Sequence, residues 1–219
     1  MDTISAPDLA NTVTAYATVL SGLVALLLTA LMHRQPARWM AVYVGIVVTG
    51  VATVWYHGFG EGAAASVADI GTNLLLAWLL QMAVLGDYYA PTTRRWIGGA
   101  SGLVNLAFVV WKILVGAARS RLFVVSFGDC GGFHVGEVLL ILDCLLAVGL
   151  MYGRHGRIPI RARPLWYAVT AIFVVGMLLA TAGNQEVGLR VLAFHAAWHL
   201  VGAFGFVVLW AFNHVRFGE

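Results

Sequence analysis

Residues 8–32 read DLANTVTAYATVLSGLVALLLTALM, a run whose only charged residue is Asp8 at its start. A helix rises about 1.5 Å per residue, so a run of this length covers the roughly 30 Å hydrocarbon core of a bilayer. A helix of a soluble domain needs a polar face, and this one has none of the charges that would supply it. The reading repeats along the chain. Trp39 to Phe59, Ala65 to Leu85, Trp96 to Ala117, Phe133 to Tyr152, Leu165 to Ala182 and Val187 to Asn213 are further apolar runs joined by short connections. The pattern predicts an all-α, polytopic membrane protein, a seven-helix transmembrane bundle forming one domain over residues 1–219.

Composition agrees. Of 219 residues, 61% are hydrophobic and only 11% charged, a balance outside that of soluble globular domains. No Lys or Arg precedes Arg34, so the basic start of a cleavable signal peptide is missing and the first helix is expected to be retained. The longest connection, between the fourth and fifth helices, carries the apolar stretch Leu122 to Phe127, expected to rest on the membrane surface. Cys130 in that connection and Cys144 in the fifth helix lie at different depths, which argues against a disulfide.

Basic residues orient the bundle. Arg34, Arg38, Arg94, Arg95, Arg154, Arg157, Arg161, Arg163 and Arg216 fall at one face, against Arg119 and Arg121 at the other. Loops rich in Lys and Arg stay in the cytoplasm, so the N-terminus is expected outside and the C-terminus inside. The net charge of +3 therefore reports topology and contact with anionic lipid heads, and does not imply nucleic-acid binding.

Polar side chains within the spans are costly and hence functional candidates. They include Asn11, Thr53, His57, Asp69, Asn73, Gln81, Asn105, Lys112, Glu137, Asp143, His195 and His199. His57 ends the second helix on the outer side, with Thr53 one turn deeper on the same face. Asp69 lies about one turn below the outer surface on the third helix, above Asn73. In FHAAWHL, His195 and His199 stand at i and i+4 on one face of the seventh helix, two to three turns from its outer end. Three helices thus bring three imidazoles, a carboxylate and a hydroxyl to the outer half. A catalytic zinc typically takes three protein ligands and leaves the fourth position to water, whose pKa falls to about 7. His57, His195 and His199 are the expected metal ligands, Asp69 the group that takes or orients the water's proton, and Thr53 a donor to the oxyanion.

Each feature also has a plain structural reading. HxxxH in an apolar helix serves interhelical hydrogen bonding as readily as a metal. His57 in WYHGFGEG sits among interfacial aromatic residues, where a wet histidine is ordinary. Asp69 needs a partner, and no Lys or Arg is expected clearly at its level. Lys112 and Glu137 are expected to pair with each other, and Asp143 to hydrogen-bond Asn105. His134 lies at the mouth of the fifth helix, while His33, His155 and His214 lie on the arginine side.

The combination resembles a family, the alkaline ceramidases, within the group that also holds the adiponectin and progestin receptors and Per1-like proteins. Ser-x-x-x-His on the second helix, Asp at the start of the third and His-x-x-x-His on the seventh look like Thr53 to His57, Asp69, and His195 to His199 here. The segment DLANTVTAY, from Asp8 to Tyr16, is similar to the ceramidase start of helix one. The resemblance implies a three-histidine zinc, water activated by the aspartate, and hydrolysis of a lipid N-acyl bond, in ceramide or another N-acyl lipid. Thr53 departs from the usual serine. The calcium site of animal members is not supplied by MDTISAPD, whose acidic residues are Asp2 and Asp8. Substrate is expected to enter sideways from the bilayer, with Phe59, Trp198 and Phe204 as candidate liners. Three other readings stand beside this one: a receptor-like protein with structural zinc, a bis-histidine haem protein for electron transfer, and a proton-coupled transporter using Asp69, Glu137 and Asp143.

Overall fold

The computed structural model describes residues 6–32, 35–59, 62–115, 124–126, 132–184 and 194–218. Their elements are α1 (Ala6–Leu31), α2 (Ala37–Phe59), α3 (Ala63–Tyr88), α4 (Pro91–Val115), β1 (Val124–Ser126), β2 (Gly132–His134), α5 (Val135–Tyr152), α6 (Arg163–Asn184) and α7 (Phe194–Phe217). All seven helices are long and apolar enough to cross a membrane. This is a multi-pass membrane protein.

Helix ends follow local chemistry more than hydropathy. Pro91 opens α4, five positions before the apolar run at Trp96, because proline at a first helical position forfeits no hydrogen bond. His134 caps α5: its side chain accepts from the Gly136 amide at 3.2 Å, and Glu137 accepts from the His134 amide at 3.0 Å. Burial and the nearby Lys112 cation hold the His134 imidazole down at about 4, so it is neutral and able to accept. Within the apolar stretch Leu122 to Phe127, residues 124–126 form β1, paired antiparallel with β2 in the register Val124 to His134; residues 122, 123 and 127 lie outside the described residues. Cys130, Arg34, Arg119, Arg121, His33 and Asp2 also lie outside them, as do residues 187–193 of the expected seventh span. At its other end α7 runs on to Phe217, beyond Asn213.

The bundle is held in sequence by packed pairs. α1 packs on α2 and α7, α2 on α3, α3 on α4 and α5, and α6 on α7. Between α1 and α2 the backbones touch: a Cβ on Gly50 would stand 2.7 Å from the Val19 amide nitrogen, so only glycine permits that approach. α5 and α6, by contrast, do not pack extensively against each other among the described residues.

Two polar clusters fix the helices. At the end of the bundle away from His57, Asp87 receives Arg38, the Trp39 indole at 2.9 Å and Arg216 at 2.7 Å. Arg216 also donates to the Tyr88 hydroxyl and to Asn213, whose amide reaches Tyr43 at 3.0 Å. These partners explain why α7 stays helical through Asn213 and Arg216, which are buried. Replacing Asp87 with alanine leaves the Arg216 guanidinium, 4% exposed, without its counter-ion. A loss of about 3–5 kcal/mol in stability is expected, read as a lowered thermal midpoint in detergent. Deeper in the bundle, the expected bond from Asn105 to Asp143 is present at 2.5 Å, and Gln81 and Ser101 join it, so that α3, α4 and α5 share one network.

Candidate metal centre

His57 lies in the last turn of α2, His195 and His199 stand one turn apart on α7, and the packing of α1 against both helices brings the three together. Ring centroids are 5.1 Å apart for His57 and His195, 5.5 Å for His57 and His199, and 4.9 Å for His195 and His199. One nitrogen from each ring lies within 4.8 Å of the others, and together they could hold a metal ion. His199 is buried and the other two are half-buried.

Helix α1 supplies a support that sequence reasoning missed. His199 Nδ1 lies 3.1 Å from Thr14 Oγ1 and 3.2 Å from the Asn11 carbonyl oxygen. The carbonyl can only accept, and the Thr14 hydroxyl already donates to the Ala10 carbonyl at 2.8 Å. The proton therefore sits on Nδ1, which leaves the Nε2 lone pair for an ion. The signal was in the sequence as the stripe Asn11, Thr14, Thr18 at helical spacing on one face. Thr14→Val removes an acceptor at nearly constant volume, and the affinity of the three-histidine group for a metal ion is expected to fall by about tenfold, measured by competition with a chelator.

Asp69 stands beside this group on α3. Its Oδ1 accepts from Thr53 at 2.6 Å and faces Asn73 Nδ2 at 3.5 Å, while Asn73 also donates to the Asp69 carbonyl at 3.0 Å. Thr53 was expected to donate to an oxyanion. Here its hydroxyl, besides the contact with Asp69, lies 3.0 Å from the Thr49 carbonyl of its own helix. Both side-chain contacts fall on Oδ1, which leaves Oδ2 for a proton. A basic group does reach this level. Lys112 Nζ donates to Ser66 Oγ at 2.9 Å, one turn before Asp69, because its long stem carries the ammonium away from its backbone position.

A cavity of about 140 Å³ joins these groups: Asp69, Thr53, His195 and His199 line it together with Thr18, Asn73 and Glu137. Glu137, read from sequence as structural, thus faces the same space. A second cavity of about 130 Å³ continues from it and is apolar, with Trp39, Leu76, Met151, Trp166 and Leu209 among its walls. Asn73, Leu140, Met177, Trp198, Gly202 and Phe206 line both. Of the three aromatic liners expected, Trp198 fills that role. Phe59 and Phe204 are 80% and 61% exposed and face away from the cavities, on the outside of the bundle, because the turns that carry them point outward.

No protein-family model matches the chain, and no curated protein matches it.

Proposed function

We propose that the protein is a membrane-embedded zinc hydrolase that cleaves the amide bond of an N-acyl lipid, such as a ceramide. The observation that carries this reading is a group of three imidazole donors within 4.8 Å of one another, two of which, His195 and His199, line with Asp69 a cavity that shares walls with an apolar chamber. The donor set fits zinc: three neutral nitrogen ligands, one of them with its tautomer fixed from behind by Asn11 and Thr14. A zinc ion held by His57, His195 and His199 would polarise the amide carbonyl and acidify water.

The chain's own residues account for the remaining steps. Asp69 accepts a proton from the attacking water as its oxygen bonds to the amide carbon. The carbon–nitrogen bond then breaks, and Asp69 returns the proton to the leaving nitrogen, giving a carboxylic acid and an amine. Thr53 keeps Asp69 oriented for both transfers. The apolar chamber receives the acyl chain, and the weakly packed side between α5 and α6 gives the substrate a way in from the bilayer.

We place the centre in the non-cytoplasmic half, with the N-terminus outside and the C-terminus in the cytoplasm. Arg38, Arg94, Arg95, Arg154, Arg157, Arg161, Arg163 and Arg216 support this, since they gather at the ends of helices away from the histidines. The first test is the metal content of the detergent-purified protein with an absorption spectrum, followed by a screen of N-acyl lipids. About one zinc per chain and release of a fatty acid are expected. Absence of zinc under metal-replete conditions rules the reading out, and a haem absorption band would replace it with electron transfer.

A further inference from the structure

We propose that Thr18 and Asn73 form a binding subsite for a hydroxyl carried on the substrate's acyl chain near the scissile carbonyl, an inference that rests on the hydrolase reading and names its substrate more closely. The cavity below the histidines has two polar levels. The upper holds His195, His199, Asp69, Thr53 and, from the first turn of α5, Glu137; the lower holds Thr18, Thr49 and Asn73. Each member of the lower level lies four residues along its helix from Thr14, Thr53 or Asp69, a step of about 6 Å.

Contacts between helices put the three at one height. The close approach of Gly50 to Val19 puts their chain neighbours Thr49 and Thr18 at similar heights on α2 and α1, and both line the cavity. Thr49 Oγ1 donates to the Thr72 carbonyl at 3.0 Å, which brings Asn73 alongside on α3. Below them the walls turn apolar, and Asn73 belongs to both cavities, so a chain running from the histidines into the chamber passes this level.

The hydrogen-bonding groups there are unevenly committed. The Thr49 proton goes to Thr72, and Asn73 Nδ2 goes to the Asp69 carbonyl. Asn73 Oδ1, an acceptor, and the Thr18 hydroxyl, donor and acceptor, have no hydrogen-bond partner among the described residues, and both residues line the cavity. A hydroxyl complements this pair: it donates to Asn73 Oδ1 and accepts from Thr18. A plain alkyl chain would displace water from both groups and replace none of its hydrogen bonds. With the carbonyl held at the histidines, the next level down falls within the first few carbons of the chain, around carbon 3.

The test compares N-palmitoyl and N-(3-hydroxypalmitoyl) amides of one amine on the zinc-loaded, full-length protein. Alongside, the two free acids are competed against a fluorescent fatty acid. The wild type is expected to favour the hydroxylated amide by about tenfold in kcat/KM and the hydroxylated acid by a similar factor in affinity. Thr18→Val should erase both preferences, read as the ratio of kcat/KM between the two amides and the ratio of affinity between the two acids. Asn73→Leu, which also touches Asp69, is read by affinity alone and should do the same. Equal rates on the two amides with normal turnover overturn the subsite and leave the hydrolase reading in place. If neither amide is cleaved, a preference for the hydroxylated acid that is lost in Thr18→Val upholds the subsite and removes the hydrolase reading. Equal affinities, or no binding of either acid, overturn the subsite.

Discussion

Replacing any one of His57, His195 and His199 with alanine is expected to release the zinc and abolish amide hydrolysis. Three donors within 4.8 Å make a tripod that two cannot replace, since a catalytic zinc draws its affinity from three protein ligands. Loss of a hydrogen bond behind a ligand typically costs 10–100-fold in metal affinity, and loss of the ligand itself should exceed this. Metal content by mass spectrometry after dialysis reads the effect directly. The three variants should differ in a second respect. His199 is buried against α1 through Thr14 and Asn11, so His199→Ala also loosens the contact between α1 and α7 and should lower the thermal midpoint. His195→Ala, at a half-buried position, should lose metal with a smaller change in stability. Full zinc content in all three variants would place the metal elsewhere and dismantle the proposed centre.

Much of the architecture was legible because a bilayer imposes a length on every apolar run, and that length can be counted. The expected second span, Trp39 to Phe59, differs from α2 by two residues at one end, since Pro36 and the aromatic end WYHGF mark its limits. The start of α4 was not legible from hydropathy, because Thr92, Thr93, Arg94 and Arg95 form a polar first turn after Pro91. The strand pair was missed for a different reason. Val124–Ser126 is three residues long, too short for a periodic pattern to separate it from a loop.

The candidate centre was legible where one helix carried the spacing and illegible where another helix supplied the partner. His195 and His199 share a face by arithmetic, and Thr53 and His57 do likewise. That Thr14 reaches His199 depends on α1 lying between α2 and α7, a contact across 185 positions of sequence. Lys112 was placed too far from Asp69 because its depth was judged from its backbone position, whereas the ammonium reaches Ser66. Thr53 was given a role toward substrate because a hydroxyl beside a metal suggests one. Its 2.6 Å bond to Asp69, which joins α2 to α3, could not be read from the spacing on either helix.

Asp69→Asn should separate metal binding from turnover. The substitution preserves size, and asparagine can still accept from Thr53 through its Oδ1, so the 2.6 Å contact and the surrounding cavity should persist. What disappears is the capacity to take a proton from water and return it to the leaving nitrogen. General-base contributions are typically 10²–10⁴-fold, so kcat should fall by about that factor with zinc content unchanged. Thr53→Val gives the graded control: Asp69 keeps its carboxyl group but loses its orienting donor, and a smaller loss of about tenfold is expected. The order of the two losses tests the assignment. If Thr53→Val were the more damaging, the hydroxyl would be acting on substrate after all. If Asp69→Asn bound zinc and turned over normally, the water's proton would have another destination and the mechanism would fail, while the three-histidine centre would stand.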